Sequence, residues 1–164
     1  MSPLSVTFVC TGNICRSPMG EVVLRALAER DGLGDLLAAS SAGTGDWHVG
    51  EPADPRTIEA LRARGYDGRR HRAKQFEASG LARHDLVVAF DRGHERVLRA
   101  WAADEAERSR VRLLLSFDPA AGALDVPDPY YSDAAAFDAV LTQVERATTA
   151  LYRQIRPALR GGPP

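Results

Sequence analysis

Cysteine, lysine and long apolar runs are all scarce in this chain of 164 residues. Two cysteines, Cys10 and Cys15, are too few to staple a secreted scaffold of this length, so a reducing cytoplasm is the expected compartment. No apolar stretch approaches the roughly 18 residues that a bilayer span needs, which argues against a membrane-spanning chain. The opening Met1-Ser-Pro-Leu-Ser5 has no basic n-region and no small-residue cleavage site, and does not read as a signal peptide. Positive charge is not in excess either: 21 Lys+Arg face 22 Asp+Glu, a net charge of -1, and Lys74 is the only lysine. That balance favours no general binding to nucleic acid, while a local anion site stays open. Scattered histidines and a C-x4-C spacing fit no zinc site, so neither a metal nor an organic cofactor is expected.

What is present is an ordinary globular composition, 45% hydrophobic and 26% charged, sized for one domain over residues 1–164. Only Gly161-Gly-Pro-Pro164 reads as a loose tail. Leu4–Cys10 is β-branched and apolar and runs into a glycine-containing loop, Thr11–Cys15. Ser17 and Pro18 suit the cap and first turn of a helix that continues to about Arg30. Further strands are expected at Ala38–Ser41, Asp85–Phe90 and Val111–Leu115. Helices are expected from Asp54 or Pro55 to Gly65, with Ile58 and Leu61 inward, and over Arg92–Ala102 after an Asp91 cap. A long amphipathic helix should run from about Asp133 to Ile155. Strands alternating with helices give an α/β fold. Its central parallel sheet has about four strands and helices on both faces, with a phosphate-binding loop between the first strand and the first helix. Ligands of such sheets bind beyond the carboxyl ends of the strands, where this loop would sit.

Cys10-Thr-Gly-Asn-Ile-Cys-Arg-Ser17 is the informative segment. At a strand-to-helix junction, successive backbone N–H groups and the helix N-terminus converge and favour an anion. Arg16 adds a planar fork that matches phosphate, and the same positive field favours a thiolate at Cys10. A thiolate facing bound phosphate is poised to attack phosphorus. Ser17 could donate a hydrogen bond to that sulfur. Taken alone, Cys10 would be a buried strand-end cysteine and Arg16 a surface residue. The surrounding strand, loop and cap reverse that reading, and the absence of a Gly-Lys-Ser/Thr sequence removes a nucleotide-type loop.

Cys10-Thr-Gly-Asn-Ile-Cys-Arg-Ser-Pro18 together with Asp128-Pro-Tyr-Tyr131 resembles the low-molecular-weight protein tyrosine phosphatases. The likeness extends through Ser41-Ala-Gly-Thr44, Trp47-His48, His71 and Phe117-Asp-Pro119, and so covers nearly the whole chain. It implies hydrolysis of phosphotyrosine on proteins through a phosphocysteine, with Cys10 as nucleophile, Arg16 binding the phosphoryl group and Asp128 as general acid and base. Asp-Pro is also common turn chemistry, and residue logic alone does not separate Asp128 from Asp125 or Asp118. Only the resemblance singles out Asp128.

The same resemblance makes Thr11, Gly12, Asn13, Ile14, Cys15 and Ser17 the phosphate-binding loop. It makes Asn13 a loop-shaping residue, in the left-handed conformation that asparagine tolerates. Ser41 and His71 are its hydrogen-bonding partners, and Trp47, Tyr130 and Tyr131 are the pocket walls. Ile14 favours tyrosine, because related phosphoarginine phosphatases carry threonine there. Cys15 is either a small packing residue or a thiol that traps oxidised Cys10. Asp91 reads as a helix cap. Tyrosine-phosphorylated proteins are the expected partners, and phosphate or vanadate the expected site ligands. Arsenate reductases of the same fold compete for the loop, as does a phosphotyrosine-binding module without turnover. Asp128-Pro-Tyr-Tyr131 and the joint presence of Cys10 and Asp128 favour the phosphatase.

Overall fold

The computed structural model describes residues 2–161, so the expected tail beyond Gly161 lies outside the described residues. Four strands, β1 (Leu4–Cys10), β2 (Leu37–Gly43), β3 (Leu86–Ala89) and β4 (Val111–Leu113), form one sheet in the order β2-β1-β3-β4. All pairings are parallel, with Cys10 beside Gly43 and Val9 beside Ala89 at the carboxyl edge. Among the described residues, five α-helices lie between strands, α1 (Arg16–Arg30), α2 (Pro55–Ala63), α3 (Gly80–Arg83), α4 (Arg92–Ala100) and α5 (Glu105–Ser109), and α6 (Ala134–Leu159) follows the last strand.

The period of two along the strands divides the core between the two faces of the sheet. Val6, Phe8, Cys10, Val88 and Phe90 join α1, α2 and α6 in the larger cluster. Val9, Val87 and Ala89 join Phe76, Leu81 and Leu98 of α4 in the smaller one. Phe8, Leu24, Phe137, Leu141 and Leu151 are fully buried, each contributing on the order of 2–3 kcal/mol of transfer free energy. Gly20 lets α1 lie flat on β1, because a Cβ there would meet the Phe8 ring at 2.5 Å. The chain leaves β1 for β2 on one side and returns to β3 on the other. The switch in strand order therefore opens a crevice at the end of β1.

Several boundaries differ from the sequence expectation, for local reasons. The cap residue of α1 is Cys15, not Ser17, and no side chain caps it. The Ser17 hydroxyl is engaged inside the loop instead. β2 extends past Ala38–Ser41 in both directions because it pairs with β1 along its whole length. The last expected strand stops at Leu113, and Leu114–Phe117 turns as a 3-10 helix, with Ser116 Oγ donating to Leu113 O at 2.6 Å. The short helices α3 and α5 are too brief to carry a hydrophobic period. Ile58 is half-buried, while Thr57, Ala60 and Leu61 face inward from α2. α6 continues through Pro157 to Leu159, because a proline in the last turn sacrifices only one helical bond.

Candidate active site

The loop after β1 is held from outside by its carbonyls. Cys10 O accepts from Thr44 N at 2.8 Å, Thr11 O from Gly45 N at 3.0 Å and Ile14 O from Asp54 N at 2.8 Å. Asn13 O lies 2.6 Å from His71 Nε2, and Cys15 O accepts from Thr57 Oγ1 at 3.3 Å. A carbonyl can only accept, so Nε2 carries the His71 proton. With those oxygens turned outward, the N–H groups of Thr11, Gly12, Asn13, Ile14 and Cys15 donate to no protein acceptor among the described residues. Five free amides and the start of α1 form a nest for an oxyanion. Gly43 is required beside it, since a Cβ there would meet Thr11 O at 2.7 Å.

The shape depends on Asn13, which is buried with φ 59°, in the left-handed region. Its Oδ1 accepts from Lys74 N at 2.9 Å, while Nδ2 donates to Ser17 Oγ at 2.7 Å and Ser41 Oγ at 3.0 Å. The Ser41 hydroxyl donates in turn to Glu21 Oε1 at 2.6 Å. Because Ser17 Oγ accepts from Asn13, its proton is free for Cys10 Sγ, 2.9 Å away, and Ser17 N approaches the same sulfur at 3.4 Å. Both contacts lie on the one sulfur and orient it. Cys10 is 2% exposed yet lines the cavity, so its sulfur sits at the bottom of a hollow and is not sealed in the core. Burial, then the nearby Asp54 carboxylate, pushes the Cys15 thiol far above its ordinary range, which keeps it protonated.

Arg16 is 3% exposed and oriented by acceptors on its outer side. NH1 donates to Asp91 Oδ2 at 3.1 Å and Val126 O at 2.9 Å. NH2 reaches Thr11 Oγ1 at 3.5 Å and lies 3.8 Å from Asp128 Oδ2. Asp91 does cap α4, accepting from His94 N at 2.8 Å, but its second oxygen orients the arginine, a role the sequence reading did not assign. His94 was also missed. Its Nε2 lies 2.8 Å from Thr11 Oγ1, and burial followed by the Arg16 charge lowers its pKa to about 4. His94 follows its capping aspartate by three residues, which places it in the first turn of a helix that starts at the sheet's carboxyl edge.

Above the loop lies a cavity of about 480 Å³. Ile14, Asp128, Tyr130 and His48 line it, and His48, paired with Glu51, is a wall residue that the sequence placed in the Trp47-His48 motif without giving it a role. Trp47 and Tyr131 also border it, at 69% and 95% exposure, so they form the rim more than the wall. Tyr130 and Tyr131 meet edge to face, with centroids 4.9 Å apart. The three candidate aspartates separate by geometry. Asp125 turns away to Arg92, accepting from its N at 2.9 Å and its NH2 at 3.1 Å. Asp118 accepts from Ala120 N at 2.9 Å and faces Arg146. Only Asp128 borders the cavity, 49% exposed, with Oδ1 accepting from Tyr130 N at 3.1 Å.

The family model for low molecular weight phosphotyrosine protein phosphatases matches residues 5–160. The chain belongs to this family. It is similar to the low molecular weight protein-tyrosine-phosphatase of Streptomyces coelicolor, at 54% identity over 95% of this chain and 96% of that one. It also resembles the low molecular weight protein-tyrosine phosphatase A of Mycobacterium tuberculosis, at 50% identity over 98% of both chains. Among solved structures, YfkJ from Bacillus subtilis superposes with a TM-score of 0.90 at 36% identity, over 96% of this chain and 98% of that one. As a protein tyrosine phosphatase the chain is a hydrolase of the cysteine-dependent type. No helix among the described residues is long and apolar enough to cross a membrane.

Proposed function

We propose that this phosphatase hydrolyses phosphotyrosine on proteins, with Cys10 as nucleophile, Arg16 and the loop amides as phosphoryl cradle and Asp128 as proton donor. The observation that carries this reading is the cup of five unpaired amides over a sulfur that Ser17 hydrogen-bonds, with Asp128 on the same cavity. The phosphoryl group docks with its nonbridging oxygens on the amides and Arg16, which stabilise the charge of the transition state. Cys10 Sγ forms a bond to phosphorus as the bond to the phenolic oxygen breaks, and Asp128 gives that oxygen its proton. A phenolate is a poor leaving group near neutral pH, so this transfer is worth roughly 100-fold or more. Asp128, now ionised, takes a proton from water as the water attacks phosphocysteine. Sulfur departs as thiolate into the Ser17 hydrogen bond, and inorganic phosphate is released.

Substrate choice follows from the lining of the cavity. A tyrosine ring lies between Ile14, Tyr130 and His48 with its phosphate toward Cys10, whereas a phosphoserine presents no ring to that lining. The rim residues Trp47 and Tyr131 are open to the protein that carries the phosphotyrosine. A reducing compartment suits the reaction because it keeps Cys10 free.

The test has two arms. Cys10→Ser abolishes turnover of an aryl phosphate while phosphate or vanadate binding, read by calorimetry, persists; full activity would end the proposal. Phosphotyrosine and phosphoarginine peptides of one sequence are then compared, and a higher kcat/KM on phosphoarginine overturns the substrate assignment.

A further inference from the structure

Asp128 is half exposed and weakly held. Its side chain has the Tyr130 N–H at 3.1 Å and the Arg16 guanidinium at 3.8 Å, a distance too long for a firm ion pair. An acid must nonetheless meet the leaving oxygen within a few tenths of an ångström, so its segment needs an anchor elsewhere. Arg56, in the first turn of α2, supplies one. NH2 donates to Tyr130 O at 2.9 Å, and NH1 donates to Ser132 O at 2.8 Å. Tyr130 is therefore gripped at both of its backbone groups, the amide by Asp128 and the carbonyl by Arg56. The guanidinium carbon lies 4.2 Å from the centroid of the Phe137 ring in α6 and 5.8 Å from that of Tyr130.

The other side of the guanidinium is bound to Asp54. Arg56 Nε donates to Oδ1 at 3.0 Å and NH2 to Oδ2 at 2.9 Å, a two-pronged pair that restricts the arginine to one rotamer. Burial pushes the Asp54 carboxyl up, but the Arg56 hydrogen bonds outweigh it and hold the group below its ordinary value. Asp54 N in turn donates to Ile14 O of the phosphate loop at 2.8 Å. A continuous path thus runs from the loop through Asp54 and Arg56 to the segment bearing Asp128.

We propose that Arg56 is a positioning residue for phosphoryl transfer, clamping the Tyr130–Ser132 segment to the phosphate loop and so setting where Asp128 meets the leaving oxygen. The proposal rests on the reading of Asp128 as the proton donor, and its test separates the two. For Arg56→Met, kcat/KM falls about 10- to 100-fold on phenyl phosphate but less than about threefold on p-nitrophenyl phosphate, whose oxygen leaves without a proton. Arg56→Lys, which keeps the charge but loses the fork, falls between and stands in if Arg56→Met does not fold; thermal melting checks both. In an Asp128→Asn background, Arg56→Met brings no further loss on phenyl phosphate. Equal losses on both esters, an additive loss in that background, or unchanged kinetics would each overturn the clamp. Should Asp128→Asn itself slow both esters equally, the acid assignment fails. A normal split in Asp128→Asn without one in Arg56→Met removes the clamp alone.

Discussion

The phosphate loop and the Asp128 segment face each other across one cavity and are built on opposite terms. In the loop, five carbonyls are held from outside, Asn13 is buried, and a directed chain of hydrogen bonds runs from Asn13 both to Glu21 and to the sulfur. Across the cavity, Asp128 is half exposed and Tyr131 almost wholly so, and the segment is tied down by backbone contacts and Arg56. The difference matches the tasks. A phosphoryl group has one shape, so its cradle gains from preorganisation, whereas protein surfaces vary and the rim must admit them. Changes in the loop should therefore cost both chemistry and stability, and changes at the exposed rim residues Trp47 and Tyr131 should cost recognition alone.

The strongest challenge to that contrast is Arg16→Lys. An ammonium cannot hold Asp91 and Val126 O while presenting two parallel donors to phosphate, so kcat/KM on any aryl phosphate should drop by roughly 1,000-fold or more. A loss under tenfold would mean the amides suffice. Asn13→Ala should come next, with activity down about 100-fold and unfolding in urea easier by about 3 kcal/mol, because alanine must take the left-handed backbone conformation and the side-chain hydrogen bonds are lost. A normal urea midpoint would show that the loop holds itself.

The third test uses pH. His94 has its pKa lowered from 6.5 to about 4 by burial and the Arg16 charge, so the folded state resists its protonation. The unfolded chain binds that proton more readily, and stability is intact above about pH 6.5 and declines as pH falls toward 4, by on the order of 3 kcal/mol. Burial lowers His71 in the same direction. His94→Gln should flatten the slope in chemical denaturation across that window, and an unchanged slope would exonerate the residue. The smallest effect belongs to the rim. Trp47→Ala should raise KM for a phosphopeptide about 3- to 10-fold, leave phenyl phosphate kinetics alone and shift stability by less than about 0.5 kcal/mol. A large loss of stability would show that Trp47 is structural after all.

How much of this was legible in the sequence depended on range. β1, its loop and the start of α2 at Asp54 or Pro55 follow from local signals, namely β-branched residues, glycine and Asp-Pro. The parallel α/β architecture follows from their alternation. Contacts between distant segments were not legible. Asp91 carried a cap signal that concealed its second partner 75 positions away, and His94 resembled any surface histidine of an Arg-rich helix. Ser17 misled in the opposite sense, since a good capping residue was diverted by Cys10 and Asn13. Asp118, Asp125 and Asp128 were equivalent as turn residues until Arg92 and Arg146 claimed the first two.

The outward-facing carbonyls of the loop have a consequence for protein engineering. Thr44, Gly45, Asp54, Thr57 and His71, which occupy those oxygens, come from three separate stretches of chain. A graft of Cys10–Ser17 onto a foreign strand–helix junction would transplant the nucleophile without the hosts that hold its peptide groups the right way round. Its amides would find partners of their own, and the recipient would acquire a reactive thiol but no phosphatase.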